Sequence, residues 1–200
     1  MKRLIYLVSP KKIYKNFYQD LEKVLASKKV KFFQLRLKKT NKQKIIQVAR
    51  RIKNVTKKYQ VKLIINDNAE IAKKVYADGC HIGQSDGSIF NARKYLKKKI
   101  IGITCHNSKK LVQIAIKNKA EYIALGSFYK SRLKPNAKKI DLKILKWAKK
   151  NIKKPIVAIG GITDENYKKL IDNGANYIAI SSLIWDNPSL KPEFAIRKFI

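Results

Sequence analysis

The feature that most constrains this chain is an alternation running along its whole length. Short apolar runs of four to six residues are each followed by a segment with helical spacing. The runs fall at residues 4–8, 32–37, 61–65, 79–82, 100–105, 122–125, 156–159 and 177–181. Between and after them the spacing predicts helices over 14–27, 42–59, 69–76, 89–96, 108–118, 142–150, 165–173 and 193–199. In the first of these, Phe17, Leu21, Val24 and Leu25 share a face; in the second, Ile45, Val48, Ala49, Ile52 and Val55 do. The strand segments are continuously apolar rather than alternating, as expected where both faces of a parallel sheet are covered. Eight equal β-then-α units imply a single-domain α/β protein, a (β/α)8 TIM barrel spanning 1–200, somewhat smaller than the usual ~250 residues. An open doubly wound sheet is the runner-up, but no Gly-rich dinucleotide turn follows the first strand.

Length and composition set the outer bounds. Two hundred residues, 45% of them hydrophobic, suffice for one sizeable core. No run approaches the roughly 18 apolar residues of a membrane helix. The N-terminal stretch is too short for a signal-peptide core, so no membrane partner and a cytoplasmic location are expected. Cys80 and Cys105 sit inside strand-like segments and read as buried free thiols. Neither His81 nor His106 has the spacing of a zinc cluster. The net charge of +34 attracts anions in general. Its lysines are spread over predicted helix faces, as at Lys109-Lys110, Lys149-Lys150 and Lys168-Lys169, without interleaved aromatics. That pattern lacks the features of specific nucleic-acid recognition and suits an anionic small molecule.

In a barrel of this kind, chemistry lies at the C-terminal ends of the strands. Those ends hold Gln34, Arg36 and Lys38, then Asn66-Asp67, Gln84 and Asp86, and Thr104 and His106. The loop after the sixth strand carries Ser131, Arg132 and Lys134; Gly160-Gly161 follows the seventh strand and Ser181-Ser182 the eighth. Gln34, Arg36 and Lys38 alternate, so a strand through Leu37 would point all three the same way. The plainer readings are a helix N-cap for Asp67, a turn residue for Asp86 and a packed polar layer for Gln34 and Arg36. With only 13 acidic residues against 47 basic ones, two carboxylates at matched strand ends point to a divalent-cation site. Mg²⁺ favours one or two carboxylates completed by phosphate oxygens and water. Arg36 can fork onto phosphate, and Lys38 and Lys134 supply point charges. Gly160-Gly161 with Ser181-Ser182 fits the metal-free monophosphate site common to barrels. The inventory therefore suits one phosphate site with metal and one without.

These residues also carry a resemblance. Gln34-Leu35-Arg36-Leu37-Lys38, Ile65-Asn66-Asp67, the run from Asp78 to Asp86, Gly102-Ile103-Thr104-Cys105-His106 and Ala158-Ile159-Gly160-Gly161-Ile162 resemble the signatures of the thiamine phosphate synthase and thiazole tautomerase family. The resemblance implies a transferase that couples hydroxymethylpyrimidine diphosphate with thiazole phosphate, releasing pyrophosphate in a dissociative displacement. It implies Mg²⁺ on Asp67 and Asp86, and diphosphate on Arg36, Lys38, Asn66 and Lys134. Gln34 would orient the diphosphate or pyrimidine, Thr104 would stand near the reacting centre, and Gly161 with Ser182 would hold the thiazole phosphate. Catalytic work would fall to Thr104, Lys134 and Arg36.

Two departures stand out. Ser131-Arg132-Leu133-Lys134 replaces a Thr-x-Thr-Lys-like run, and Leu37 stands where many members have Glu. A tautomerase would need no magnesium and would use a base such as His106, whereas the joint retention of Lys38, Asp67, Asp86 and Lys134 favours the synthase. A non-catalytic basic binding protein would explain the charge but not the ordered polar strand ends. Oligomeric state is open, and a homo-oligomer is compatible with the sequence.

Overall fold

In the computed structural model, which describes residues 3–130 and 140–199, each of the eight apolar runs forms a strand. These are β1 (Ile5–Val8), β2 (Val30–Leu35), β3 (Lys62–Asn66), β4 (Gly79–Ile82), β5 (Ile100–His106), β6 (Tyr122–Gly126), β7 (Ile156–Ile159) and β8 (Tyr177–Ile180). They pair in parallel in chain order, and β8 pairs back onto β1, closing the barrel. Around it lie α1 (Phe17–Ala26), α2 (Lys42–Lys58), α3 (Ala69–Lys74), α4 (Ile89–Leu96), α5 (Lys109–Lys117), α6 (Lys143–Asn151) and α7 (Tyr167–Asp172). The chain ends with two short helices, α8 (Ser182–Trp185) and α9 (Pro192–Ala195), and a 3₁₀ turn at Ile196–Lys198. No helix among the described residues is long and apolar enough to cross a membrane.

Local chemistry explains the helix starts. Asn41, Asn68, Ser88 and Ser108 each accept a hydrogen bond from the backbone N–H three residues on, capping α2, α3, α4 and α5. Packing supplies most of the stability. The α1 face predicted from spacing, Phe17, Leu21, Val24 and Leu25, is buried against the barrel wall. Each such side chain contributes about 1.5–3 kcal/mol of transfer free energy. Cys80 and Cys105 are buried free thiols within the same outer layer.

The barrel interior is a second core, made of Tyr6, Val8, Phe32, Ile64, Tyr122, Ala124, Val157 and Ala179. Large rings need small partners there. A Cβ at Gly102 would lie 1.9 Å from Tyr122 Cζ, so the missing side chain gives the Tyr122 ring its place.

Several boundaries differ from expectation, and hydrogen bonding gives the reason for two of them. β2 ends at Leu35, not at residue 37, because Ser9 Oγ takes over from the ladder and accepts from the Arg36 N–H at 3.0 Å. Arg36 and Lys38 therefore lie in the loop beyond the strand. The first helix starts at Phe17, after a turn in which its N–H bonds to the Tyr14 carbonyl. Helix α8 was not predicted; four residues are too few to show a 3.6-residue period.

Candidate active site

At the mouth of the barrel, the predicted residues of β2, β3 and β4 meet in one connected set. Gln34 is buried on the inward face of β2 and donates through Nε2 to Asn66 Oδ1 at 3.1 Å. Asn66 Nδ2 donates in turn to Asp67 Oδ2. Lys38 reaches from its loop to place Nζ 2.7 Å from Asp67 Oδ2 and 3.6 Å from Asp86 Oδ1. Its pKa is raised above the usual lysine value, first by the hydrogen bond to Asp67 and then by the charge of both carboxylates. Gln34 thus does form the polar layer anticipated by the plainer reading, while Arg36 sits above it, half-exposed.

Asp67 is not a helix cap. The cap of α3 is Asn68, and Asp67 occupies the left-handed region with φ 61°. That conformation is uncommon for a residue with a side chain, although Asp is among those that tolerate it. From there its carboxylate accepts from Lys38 Nζ. Asp86 does lie in a turn, its N–H bonding to the Gly83 carbonyl at 3.3 Å. That turn brings the two carboxylates together: a Cβ on Gly83 would stand 2.2 Å from Asp86 Oδ2 and 3.9 Å from Asp67 Oδ1. Gln84 is occupied structurally, donating to the Thr104 carbonyl and tying the β4 loop to β5.

Behind this set lies a hydrogen-bonded column that sequence reading missed. His81 Nε2 is 2.9 Å from Thr104 Oγ1, and His81 Nδ1 is 2.9 Å from the Tyr122 hydroxyl. Tyr122 also meets the Tyr6 hydroxyl at 2.7 Å. Burial, reinforced by the nearby Arg36 guanidinium, pushes the His81 pKa down to about 4, so the imidazole is neutral at pH 7. The signal was strand parity. Cys80 and Ile82 pack on the outer layer, which leaves His81 facing inward. Thr104 adjoins a bulge in the β5–β6 ladder, and His106, beyond it, is exposed with φ 50°.

On the β7–β8 side, Gly160 and Gly161 have φ 107° and 60°. A Cβ on Gly161 would lie 2.1 Å from the Lys130 carbonyl oxygen, so only glycine lets this loop pack against the segment after β6. Asn166 clamps the turn, donating to the Gly161 carbonyl at 3.1 Å and accepting from the Thr163 N–H at 2.9 Å. Ser182 opens α8, while the Ser181 hydroxyl donates to the Ser9 carbonyl at 3.0 Å and ties β8 to the β1 loop. Ser131, Arg132, Leu133 and Lys134 lie outside the described residues.

The family described as thiamine monophosphate synthase matches residues 5–184 of the chain. The chain belongs to the thiamine monophosphate synthase family. A relative named thiamine-phosphate synthase from Pelagibacter ubique (strain HTCC1062) is 53% identical over 199 residues, covering 98% of this chain and 96% of that protein. One of the same name from Clostridium acetobutylicum is 36% identical over 190 residues, covering 94% and 89%. Among solved structures, thiamine phosphate pyrophosphorylase from Pyrococcus furiosus superposes with a TM-score of 0.87 at 23% identity, covering 98% of this chain and 93% of that one. That likeness speaks for the fold of this thiamine monophosphate synthase family member. A 3-hexulose-6-phosphate synthase at TM-score 0.68 and 15% identity shares the same barrel.

Proposed function

We propose that the protein is a transferase that joins hydroxymethylpyrimidine diphosphate to thiazole phosphate, giving thiamine phosphate and pyrophosphate. Family membership supports the reaction, and the carrying observation in the geometry is the convergence of Lys38 on both Asp67 and Asp86. The bond between the pyrimidinylmethyl carbon and the diphosphate oxygen breaks, and the ring stabilises the resulting cation. The thiazole nitrogen then bonds to that carbon. Such a reaction needs charge stabilisation of the leaving group and alignment of the nucleophile more than acid–base work.

The donor set suits Mg²⁺. Among the described residues no group of three His, Cys, Asp or Glu could hold a metal without help. Two carboxylates completed by phosphate oxygens and water match what Mg²⁺ prefers, and the Lys38 ammonium already stands as a cation between them. Asp67 and Asp86 would hold the ion, which supplies charge neutralisation of the leaving pyrophosphate. Lys38, Arg36 and Asn66 bind the diphosphate, with Lys134 as a further cation. Gln34 fixes the Asn66 amide, and Thr104 and Ser131 contact substrate. The Gly161 turn, with Ser181 and Ser182 beyond β8, takes the thiazole phosphate. The enzyme works on small phosphorylated substrates in the cytoplasm; its two free buried thiols fit a reducing compartment.

The deciding experiment follows pyrophosphate and thiamine phosphate together, using purified protein, both substrates and Mg²⁺, with Asp86→Ala beside it. Both products are expected in equal amounts and are lost with the variant or with chelator. Absence of coupling at every magnesium concentration would overturn the reading.

A further inference from the structure

The column behind Thr104 has a direction, which follows from counting hydrogens. Tyr6 and Tyr122 are buried, and the one described partner of the Tyr6 hydroxyl is the Tyr122 hydroxyl at 2.7 Å. Each hydroxyl has a single hydrogen to donate, and a neutral imidazole has a single N–H. Were Tyr122 to donate to Tyr6, the Tyr6 hydrogen would be buried with nothing to accept it, at a cost of about 1–3 kcal/mol. Tyr6 is therefore the donor. Tyr122 must then place its own hydrogen on His81 Nδ1, its other partner at 2.9 Å. An accepting Nδ1 puts the imidazole hydrogen on Nε2, aimed at Thr104 Oγ1 2.9 Å away. Every buried donor in the column is then satisfied. The one hydrogen left over is that of the Thr104 hydroxyl, at the mouth of the barrel.

The geometry holding Tyr122 is equally specific. Its ring occupies the place that a side chain at residue 102 would fill, and it lies nearly parallel to the His81 ring, with 5.6 Å between centroids and 17° between planes. The Tyr122 ring cannot turn away without disturbing the inner core.

We propose that Tyr122 is a positioning residue: by donating to His81 Nδ1 it fixes the Nε2–H tautomer of His81, and so makes Thr104 Oγ1 a hydrogen-bond donor toward an acceptor atom of the substrate. The substrate part rests on the function proposed above; the direction of the column does not. Tyr122 touches no reacting atom and acts through His81 and Thr104.

Two measurements on the full-length protein test this. The first is ¹⁵N NMR of the imidazole nitrogens without substrate. The chain has two histidines, so a His106→Gln variant assigns both. Wild-type His81 is expected to show a protonated Nε2 and an unprotonated Nδ1. Tyr122→Phe is expected to give a tautomer mixture. Tyr6→Phe should retain the Nε2–H form, because Tyr122 still has only His81 to donate to. The second measurement is a kinetic cycle. Tyr122→Phe is expected to lower kcat/KM about three- to tenfold, the worth of one hydrogen bond, and to change it little in a Thr104→Val background. A wild-type Nδ1–H tautomer, an unchanged tautomer in Tyr122→Phe, or a full loss persisting beside Thr104→Val would each overturn the proposal. If Tyr122→Phe does not fold, the tautomers of wild type and Tyr6→Phe decide it. If wild type fails to couple the substrates, the functional reading falls while the NMR result still decides the column.

Discussion

Lys38 Nζ stands 2.7 Å from Asp67 Oδ2, so the free protein already holds a cation against the carboxylate read as a magnesium ligand. Two consequences with opposite signs follow for Lys38→Met. Removing the ammonium frees Asp67 and Asp86 of a competitor, so Mg²⁺ should bind the free protein a few-fold more tightly by titration calorimetry. The same change removes a charge for the diphosphate, so KM for hydroxymethylpyrimidine diphosphate should rise about tenfold, a typical worth of one charge-assisted contact. Equal Mg²⁺ affinity in both proteins would show that the ion does not take the place of Lys38.

Gly83 allows a subtler perturbation of the same pair. A methyl there would stand 2.2 Å from Asp86 Oδ2, the movable end of a side chain, and 3.9 Å from Asp67 Oδ1. Gly83→Ala should therefore push Asp86 aside without removing its charge and with little effect on folding. The Mg²⁺ concentration for half-maximal rate should rise several-fold, while Tm stays within about 2 °C, the shift that goes with less than roughly 1 kcal/mol in a domain of this size. An unaltered magnesium dependence would place the ion elsewhere.

Gly161 gives a contrasting case, in which backbone is the obstacle. Its φ of 60° and the Lys130 carbonyl oxygen 2.1 Å from a would-be Cβ leave Gly161→Ala no cheap escape. A loss of about 2 kcal/mol, read as a Tm drop of about 4–8 °C, is expected together with a raised KM for thiazole phosphate. Gly87→Ala is the control. It shares a positive φ, at 133°, but a Cβ there has nothing within 4 Å, so stability should fall while KM for thiazole phosphate holds. Equal KM effects in the two variants would detach the β7 turn from phosphate binding.

The contrast between what sequence and structure reveal has a physical basis. The barrel could be read because apolar runs and helical spacing repeat eight times, and each repeat constrains the next. The carboxylate pair could be read because Asp67 and Asp86 lie two and four residues beyond the apolar runs that end at Ile65 and Ile82, in a chain short of acids. Strand ends were harder. A side chain distant in sequence, Ser9, replaces the ladder at Arg36, and nothing around Leu37 signals it. His81 was passed over because it sits between two apolar neighbours, and its value lies in Tyr122 and Thr104, 41 and 23 residues away. The parallel pairing of β4, β5 and β6, which sets His81 beside Gly102 and Gly102 beside Tyr122, makes those three neighbours.

The partial burial of His81 also predicts how stability responds to acid. In the folded protein its pKa is pushed down to about 4, first by burial, whereas in the unfolded chain it is near the ordinary value of about 6.5. The unfolded state therefore takes up a proton first as pH falls. The contribution of neutral His81 is complete above about pH 6.5 and is lost as pH falls toward 4, amounting to at most about 3 kcal/mol. Denaturant unfolding across that window should show stability declining with acid, and His81→Gln should flatten the decline while lowering stability at pH 7.5. The variant leaves the Tyr122 hydroxyl facing an amide that can still accept, so the core should remain intact. An equally steep decline in His81→Gln would assign the acid sensitivity to other groups. Carboxylates such as Asp78 are the natural alternative: burial raises its pKa, but Lys53 and the Leu63 N–H outweigh this and hold it below the usual range. Its stabilisation should therefore fade only below the ordinary aspartate value of about 4, beneath most of the His81 window, which lets one titration separate the two.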